Sequence, residues 1–224
     1  MSGGRVLDVA TGDGAFIRFL LDGLRDRDEI VGIDSNGARA EAFSGSLADR
    51  PDVRFETMDA YVLAFPDSSF DTVCVSNSLH HFEDPLSVLA EMHRVLRPGG
   101  HVIVNEMYRD GQSEPQMTHV LLHHWWAAVN ALHGDVHRET YRRAALVRIV
   151  EGLALSDLRL ADLADPDQDP HDPATLADLD AVVDRYLALA AASPDLVARG
   201  EMLRARLHAV GVRDATQLVA VGRA

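Results

Sequence analysis

A single cysteine, Cys74, stands in 224 residues, so no disulfide can close within the chain and no cysteine cluster can hold a metal. Basic residues are scarce beside acidic ones. The 21 Lys plus Arg against 35 Asp plus Glu give a net charge of −14. Nucleic acid and anionic membranes both require a concentrated basic surface, and Arg138, Arg142 and Arg143 form the only notable basic cluster, so neither is expected as a partner. No apolar run has the length of a membrane span, and the first strand begins within about five residues of Met1, which leaves no room for a signal peptide. A cytoplasmic protein is the expectation. There is also no Ser-His-Asp arrangement and no phosphate-cradling Gly-x-x-x-x-Gly-Lys.

What is present is organised around Val6-Leu7-Asp8-Val9-Ala10-Thr11-Gly12-Asp13-Gly14-Ala15-Phe16. A short apolar run, read as a central strand over 5–10, enters a small-residue turn that opens an amphipathic helix carrying Phe16, Leu20 and Leu24. Such a turn brings backbone N–H groups close to a ligand, because Gly12 and Gly14 have no side chain to hold it away. Strands are predicted at 29–34, 53–56, 70–76 and 101–105, with helices over about 37–48 and from Asp84-Pro85 to Leu96, the latter burying Leu86, Leu89, Met92 and Leu96. Strands alternating with helices mean a parallel sheet covered on both faces.

The alternation then loosens. Ser113-Glu114-Pro115-Gln116 reads as a capping box opening a helix that stops before Gly134. A helix at 140–151, a strand at 154–163, an acidic proline-rich linker at 165–173, helices at 174–191 and 194–210, the second capped by Ser193-Pro194, and a last strand at 216–221 complete the chain. The expected architecture is α/β, a seven-stranded, doubly wound, mostly parallel sheet with helical insertions. It makes one domain over 1–224, with a ligand-binding core at 1–106, a helical lid at 107–152 and a helical insertion at 164–211 between the last two strands.

In an open parallel sheet the ligand sits at the carboxyl ends of the strands. Here those ends carry Gly12-Asp13-Gly14, Asp34, Met58-Asp59-Ala60 and Ser76-Asn77-Ser78-Leu79-His80-His81-Phe82. Asp34, twenty positions beyond Gly14, can accept both hydroxyls of a ribose, and Asp59 can accept from an adenine amino group. The dinucleotide fingerprint fits weakly, since Ala10 and Ala15 replace two of its glycines and Asp13 would oppose a pyrophosphate. An acidic neighbourhood suits a ligand bearing a cation.

Val6-Leu7-Asp8-Val9-Ala10-Thr11-Gly12-Asp13-Gly14 resembles motif I of the class I S-adenosylmethionine-dependent methyltransferases, and its Ala-Thr-Gly turn is similar to that of the quinone C-methyltransferase branch. Phe65-Pro66-Asp67-Ser68-Ser69-Phe70-Asp71, Ser78-Leu79-His80-His81-Phe82 and Leu89-Ala90-Glu91-Met92-His93-Arg94-Val95-Leu96-Arg97-Pro98-Gly99-Gly100 extend the resemblance over about 5–106. The resemblance implies S-adenosylmethionine as cofactor, with S-adenosylhomocysteine as product, and methyl transfer to a small molecule. It also implies contacts from Ala10, Gly12, Gly14, Asp34, Ser35, Asp59 and Ala60, support of the turn and ammonium by Asp8, and Asn77 and His81 near the transferred methyl. Relatives that methylate arsenite use several thiols, and Cys74, inside an apolar strand, is expected to be a buried structural thiol. The absence of an Asn-Pro-Pro-Tyr-like motif weakens nucleobase and amide acceptors. The family usually places a helix before the first strand to cover the cofactor; here the cover is expected from the later helices or from a second copy of the chain. The alternatives are a non-catalytic cofactor-binding scaffold or sensor and an NAD-dependent oxidoreductase.

In the helix at 113–133, His119, His123, Trp126, Asn130 and His133 share one face, while Leu121, Trp125, Ala128 and Leu132 form a packing face nearly opposite. The histidine face fits a solvated stripe or the roof of a substrate pocket, where His119 or His123, like His81, is a candidate general base. Two histidines at i, i+4 also fit zinc, with His124 or His137 completing the set; no metal is assigned.

Overall fold

The computed structural model describes residues 1–224. The elements run β1 (Gly4–Val9), α1 (Ala15–Gly23), β2 (Arg27–Asp34), α2 (Arg39–Ser46), β3 (Val53–Thr57), β4 (Phe70–Ser76), α3 (Pro85–Val95), β5 (Leu96–Met107), α4 (Glu114–Leu132), α5 (Arg143–Glu151), β6 (Ser156–Leu163), α6 (Pro173–Leu189), α7 (Pro194–Val210) and β7 (Gln217–Arg223). One sheet of seven strands has the order β3-β2-β1-β4-β5-β7-β6, with β7 antiparallel to both neighbours and the other strand pairs parallel. The chain leaves β1 toward β2 and β3 and then crosses back to β4, so the carboxyl ends of β1 and β4 flank the switch point where ligands bind.

The central strands are apolar runs because helices cover both of their faces. Leu7, Val9, Val31, Ile33, Val73 and Val75 pack toward α3 and α5, while Val6, Ile30, Cys74 and Ile103 pack toward α1 and α2. Cys74 is the buried free thiol expected. Asp84 caps α3 as expected, its carboxylate accepting from the N–H groups of Leu86 (3.1 Å) and Ser87 (3.3 Å). Gln116 reaches back to the Ser113 N–H at 3.0 Å, closing the capping box of α4.

Three expectations change. Leu86 is 60% exposed, because the inward stripe of α3 runs through Val88, Leu89, Met92 and Val95 instead. Ser193 makes no side-chain cap at α7. The packing face of α4 is Leu122, Trp125 and Val129, which close a separate core with Val183, Leu203 and Leu207 of α6 and α7, whereas Leu132 is 52% exposed. The helical period of α4 is as the sequence predicts but its buried face is rotated, because two helices far along the chain, α6 and α7, cover it.

The α4–α7 contact depends on Gly200, where a Cβ would be driven into the six-membered ring of Trp125. Alanine is the better helix former by about 1 kcal/mol, but overpacking costs about 1–3 kcal/mol. Gly200→Ala is therefore expected to lower unfolding stability, read by urea titration of tryptophan fluorescence. A stabilised variant would show that the helices separate freely.

Candidate functional site

The turn after β1 is built from left-handed residues. Ala10, Gly12 and Gly14 have φ of 56°, 58° and 81°. For Ala10 this costs about 1–2 kcal/mol, a backbone strain that clusters at ligand sites. The turn is held by the end of β2. The Thr11 N–H donates to Ile33 O at 2.8 Å, and the Gly12 N–H donates to Asp34 Oδ2 at 3.0 Å. Asp34 Oδ1 accepts the Asn36 N–H at 2.9 Å, so one carboxylate ties the first turn to the end of β2.

Above these strand ends lies a cavity of about 530 Å³, lined by Ala10, Gly12, Asp34, Ser35, Asp59 and Ala60 at one end and by Asn77, His81 and His137 at the other. Asp59 Oδ1 accepts the Tyr61 N–H at 2.9 Å, which aims the loop after β3. Asn77, with φ 46°, accepts the Met107 N–H on its Oδ1 at 2.9 Å and so takes its place from β5. Three carboxylates, Asp34, Asp59 and Asp135, face one guanidinium, Arg39, giving the lining an acidic balance. A larger groove of about 750 Å³ between α3 and α5 is mostly apolar and lacks such convergent polar groups.

Most of the residues singled out in the sequence meet at this cavity, but four do not line it. Gly14 faces α2, and a Cβ there would lie 2.7 Å from Leu47 Cδ1 and 3.2 Å from Phe43, so its bareness serves packing. Asp8 is buried beneath the turn, accepting from Thr11 Oγ1 at 2.6 Å with Cys74 Sγ 3.4 Å away. His119 lies apart, its Nδ1 accepting the Ala215 N–H at 3.1 Å beside Asp214. His123 sits one layer behind the cavity wall, its Nε2 3.3 Å from His137 Nε2. The members of the α4 histidine face therefore part company. Trp126 packs on Tyr186 and His133 bonds Leu189 O, whereas Asn130 reaches the cavity.

Sequence reasoning missed Tyr61, Arg39, Asp135 and Val136, which line the cavity together with Asn130 and with His137, named in the sequence only as a candidate metal ligand. It also missed Glu106, a fully buried carboxylate whose Oε1 lies 2.6 Å from His80 Nδ1 and whose Oε2 accepts the Leu79 N–H at 2.9 Å. An acid inside the apolar run Val102-Ile103-Val104-Asn105-Glu106-Met107 was the available signal.

Burial pushes the Asp8 carboxyl up from 3.8 to about 6, against the lowering effect of its hydrogen bonds to Thr11 and Cys74. The unfolded chain releases this proton first, so between those values the native state holds more protons. Stability then falls as pH rises through the window, by about 3 kcal/mol for this group. Asp8→Asn is expected to flatten the fall in urea-unfolding free energy between pH 4 and 6; an unchanged slope would take the burden off Asp8.

Comparison with known proteins gives consistent matches. Residues 7–104 match the family described as "Methyltransferase domain". A demethylmenaquinone methyltransferase of Deinococcus radiodurans is 42% identical over 107 residues, covering 46% of this chain and 42% of that protein. The chain spans about half the length of the curated relatives it matches, 42% and 58% in two cases. Among solved structures, the cyclase SpnF superposes with a TM-score of 0.64 at 20% identity over 100% of this chain and 75% of that one. A phosphoethanolamine N-methyltransferase of Haemonchus contortus, in complex with phosphomonomethylethanolamine and S-adenosylhomocysteine, superposes with a TM-score of 0.58 at 14% identity, over 99% and 49% respectively. At these identities the two structures speak for the fold alone.

Proposed function

Residues 7–104 belong to the class I methyltransferase-domain family, and on that premise we propose that the chain transfers a methyl group from S-adenosylmethionine to a small-molecule acceptor by direct in-line displacement. The observation that carries this reading is the convergence of four strand ends on one acidic cavity of about 530 Å³, within the size range of small-ligand sites.

The residues present fit the cofactor. A Cβ on Gly12 would meet no atom within 4 Å, so the glycine leaves free space against the cavity. Each oxygen of Asp34 accepts one backbone N–H, and a carboxylate offers about four lone-pair sites, so both can still accept from a ribose. Asp59 and Ala60 are assigned to the adenine edge, Ser35 to the adenine face, and Ala10 with Gly12 to the methionine portion. Asp8 supports the turn from below, and Gly14 holds α1 close to α2. The acidic lining favours a cationic ligand over a pyrophosphate, which speaks against NAD.

When bound, S-adenosylmethionine supplies a methyl carbon made electrophilic by the sulfonium. The work left to the chain is alignment of a nucleophile with that carbon and exclusion of water. Asn77 and His81 are assigned to the acceptor end. Burial first, and then the neighbouring His80 and His137, lower the His81 pKa to about 3, so its ring is neutral at pH 7 and can accept a hydrogen bond from an acceptor hydroxyl or amine. His119, outside the cavity, is given no part, and His123 acts at most through the rings in front of it. The acceptor reaches the site beside Asn130, Val136 and His137, so its identity is written in the segment that follows α4.

Calorimetric titration tests the reading. S-adenosylhomocysteine is expected to bind and NADH not to. Asp34→Ala should weaken the former by about 1–3 kcal/mol, the cost of leaving buried hydroxyls unpaired. Tight NADH binding without S-adenosylhomocysteine binding would overturn the proposal, and unchanged affinity in Asp34→Ala would remove that residue from the site.

A further inference from the structure

Four histidines from three separate places meet behind the far wall of the cavity. His80 and His81 come from the single 3-10 turn after β4, His123 from the middle of α4 and His137 from the loop that follows it. One ring nitrogen from each lies within 4.8 Å of the others. We propose that His80, His81, His123 and His137 bind one divalent transition-metal ion, of the zinc type, in the wall of the cavity.

One pair already stands at the spacing of such a site, and the others, within 4.8 Å, would close onto an ion by rotation of the rings. Tetrahedral bonds of about 2.0–2.1 Å set ligand nitrogens about 3.3 Å apart, and His123 Nε2 and His137 Nε2 are 3.3 Å apart. With no ion between them, these two acceptor-capable nitrogens must share one proton.

The unpaired atoms agree. His80 is wholly buried, its Nδ1 is taken by Glu106, and its Nε2 has no hydrogen-bond partner in the protein. A buried polar nitrogen left without a partner costs about 1–3 kcal/mol, and native proteins rarely carry that cost without a ligand or water.

The outer contacts agree as well. A ring whose far nitrogen donates to a carboxylate is the usual support of a metal-bound histidine, and Glu106, itself held by the Leu79 N–H, provides it for His80 at 2.6 Å. Asn130 Nδ2 donates to His137 Nδ1 at 2.9 Å and holds that ring with its Nε2 turned to the cluster; binding an ion at Nε2 requires the Asn130 amide to turn, so that its oxygen accepts from Nδ1–H. Four imidazoles without thiolate or carboxylate select zinc, copper, nickel or iron over magnesium or calcium.

The site borders the cavity through His81 and His137, so a bound ion would stand beside the acceptor's end of the pocket and would take the His81 lone pair that, in the metal-free protein, is open to a hydrogen bond from the acceptor. The inference does not rest on the methyl-transfer reading, because its test uses the metal alone. Tag-free protein, stripped with a chelator and titrated with Co²⁺, is expected to take up a single ion per chain with the visible absorption of four-coordinate cobalt, and to lose that absorption when Zn²⁺ is added. His80→Ala and His123→Ala should abolish the spectrum, and Glu106→Gln should weaken binding roughly 10–100-fold. His119→Ala, outside the cluster, should leave the spectrum intact. His137→Ala, in a loop and checked for fold by circular dichroism, keeps the test decisive should the buried variants fail to fold. No cobalt spectrum in the folded protein, or a spectrum that survives His137→Ala unchanged, would overturn the proposal.

Discussion

The Asp34 carboxylate is the interaction on which the site depends. It accepts the Gly12 N–H from the turn after β1 and the Asn36 N–H from its own loop, so one side chain fixes the relation of two strand ends. Without it the left-handed turn through Ala10, Gly12 and Gly14 would have to hold its strain on the Thr11–Ile33 bond and local bonds alone. The same oxygens keep free lone pairs, so in the proposed reading the group that shapes the cavity would also recognise what enters it. Beneath the turn, Asp8 and Thr11 hold the opposite face, and burial makes Asp8 a reluctant anion.

The fold separates two tasks. The ends of β1 to β4 and the loops after them line one end of the cavity, the end proposed above for the cofactor. The helices α4, α6 and α7 enclose their own core around Trp125 and do not form that end. They meet the cavity only where α4 finishes, at Asn130 and the loop through His137, with no contribution from α6 or α7 to the lining. Variation in that loop can therefore change one wall of the cavity without disturbing the sheet. No helix of the structure is long and apolar enough to cross a membrane.

The first half of the chain was largely legible because its signals are local. Apolar runs of strand length end in glycine, acid or asparagine, and topology alone carries those ends to one place. The second half was less so. The period of α4 could be read, but which face is covered depends on α6 and α7, and helical spacing alone cannot choose. His119 and His123 share a helix face in sequence, yet Asp214 and Ala215 claim the first while His80 and His137 surround the second. The Glu106–His80 pair spans 26 residues and two strand ends, a contact no spacing rule describes.

The central claim is that one cavity at the switch point is an S-adenosylmethionine site, framed by Asp34 and Asp59. A crystal structure of the protein soaked with S-adenosylhomocysteine tests it most directly. The account predicts ribose hydroxyls on the Asp34 carboxylate, the adenine against Ser35 and Asp59, and the sulfur turned toward Asn77 and His81. A ligand bound elsewhere, or lying in this cavity with its ribose away from Asp34, would contradict it.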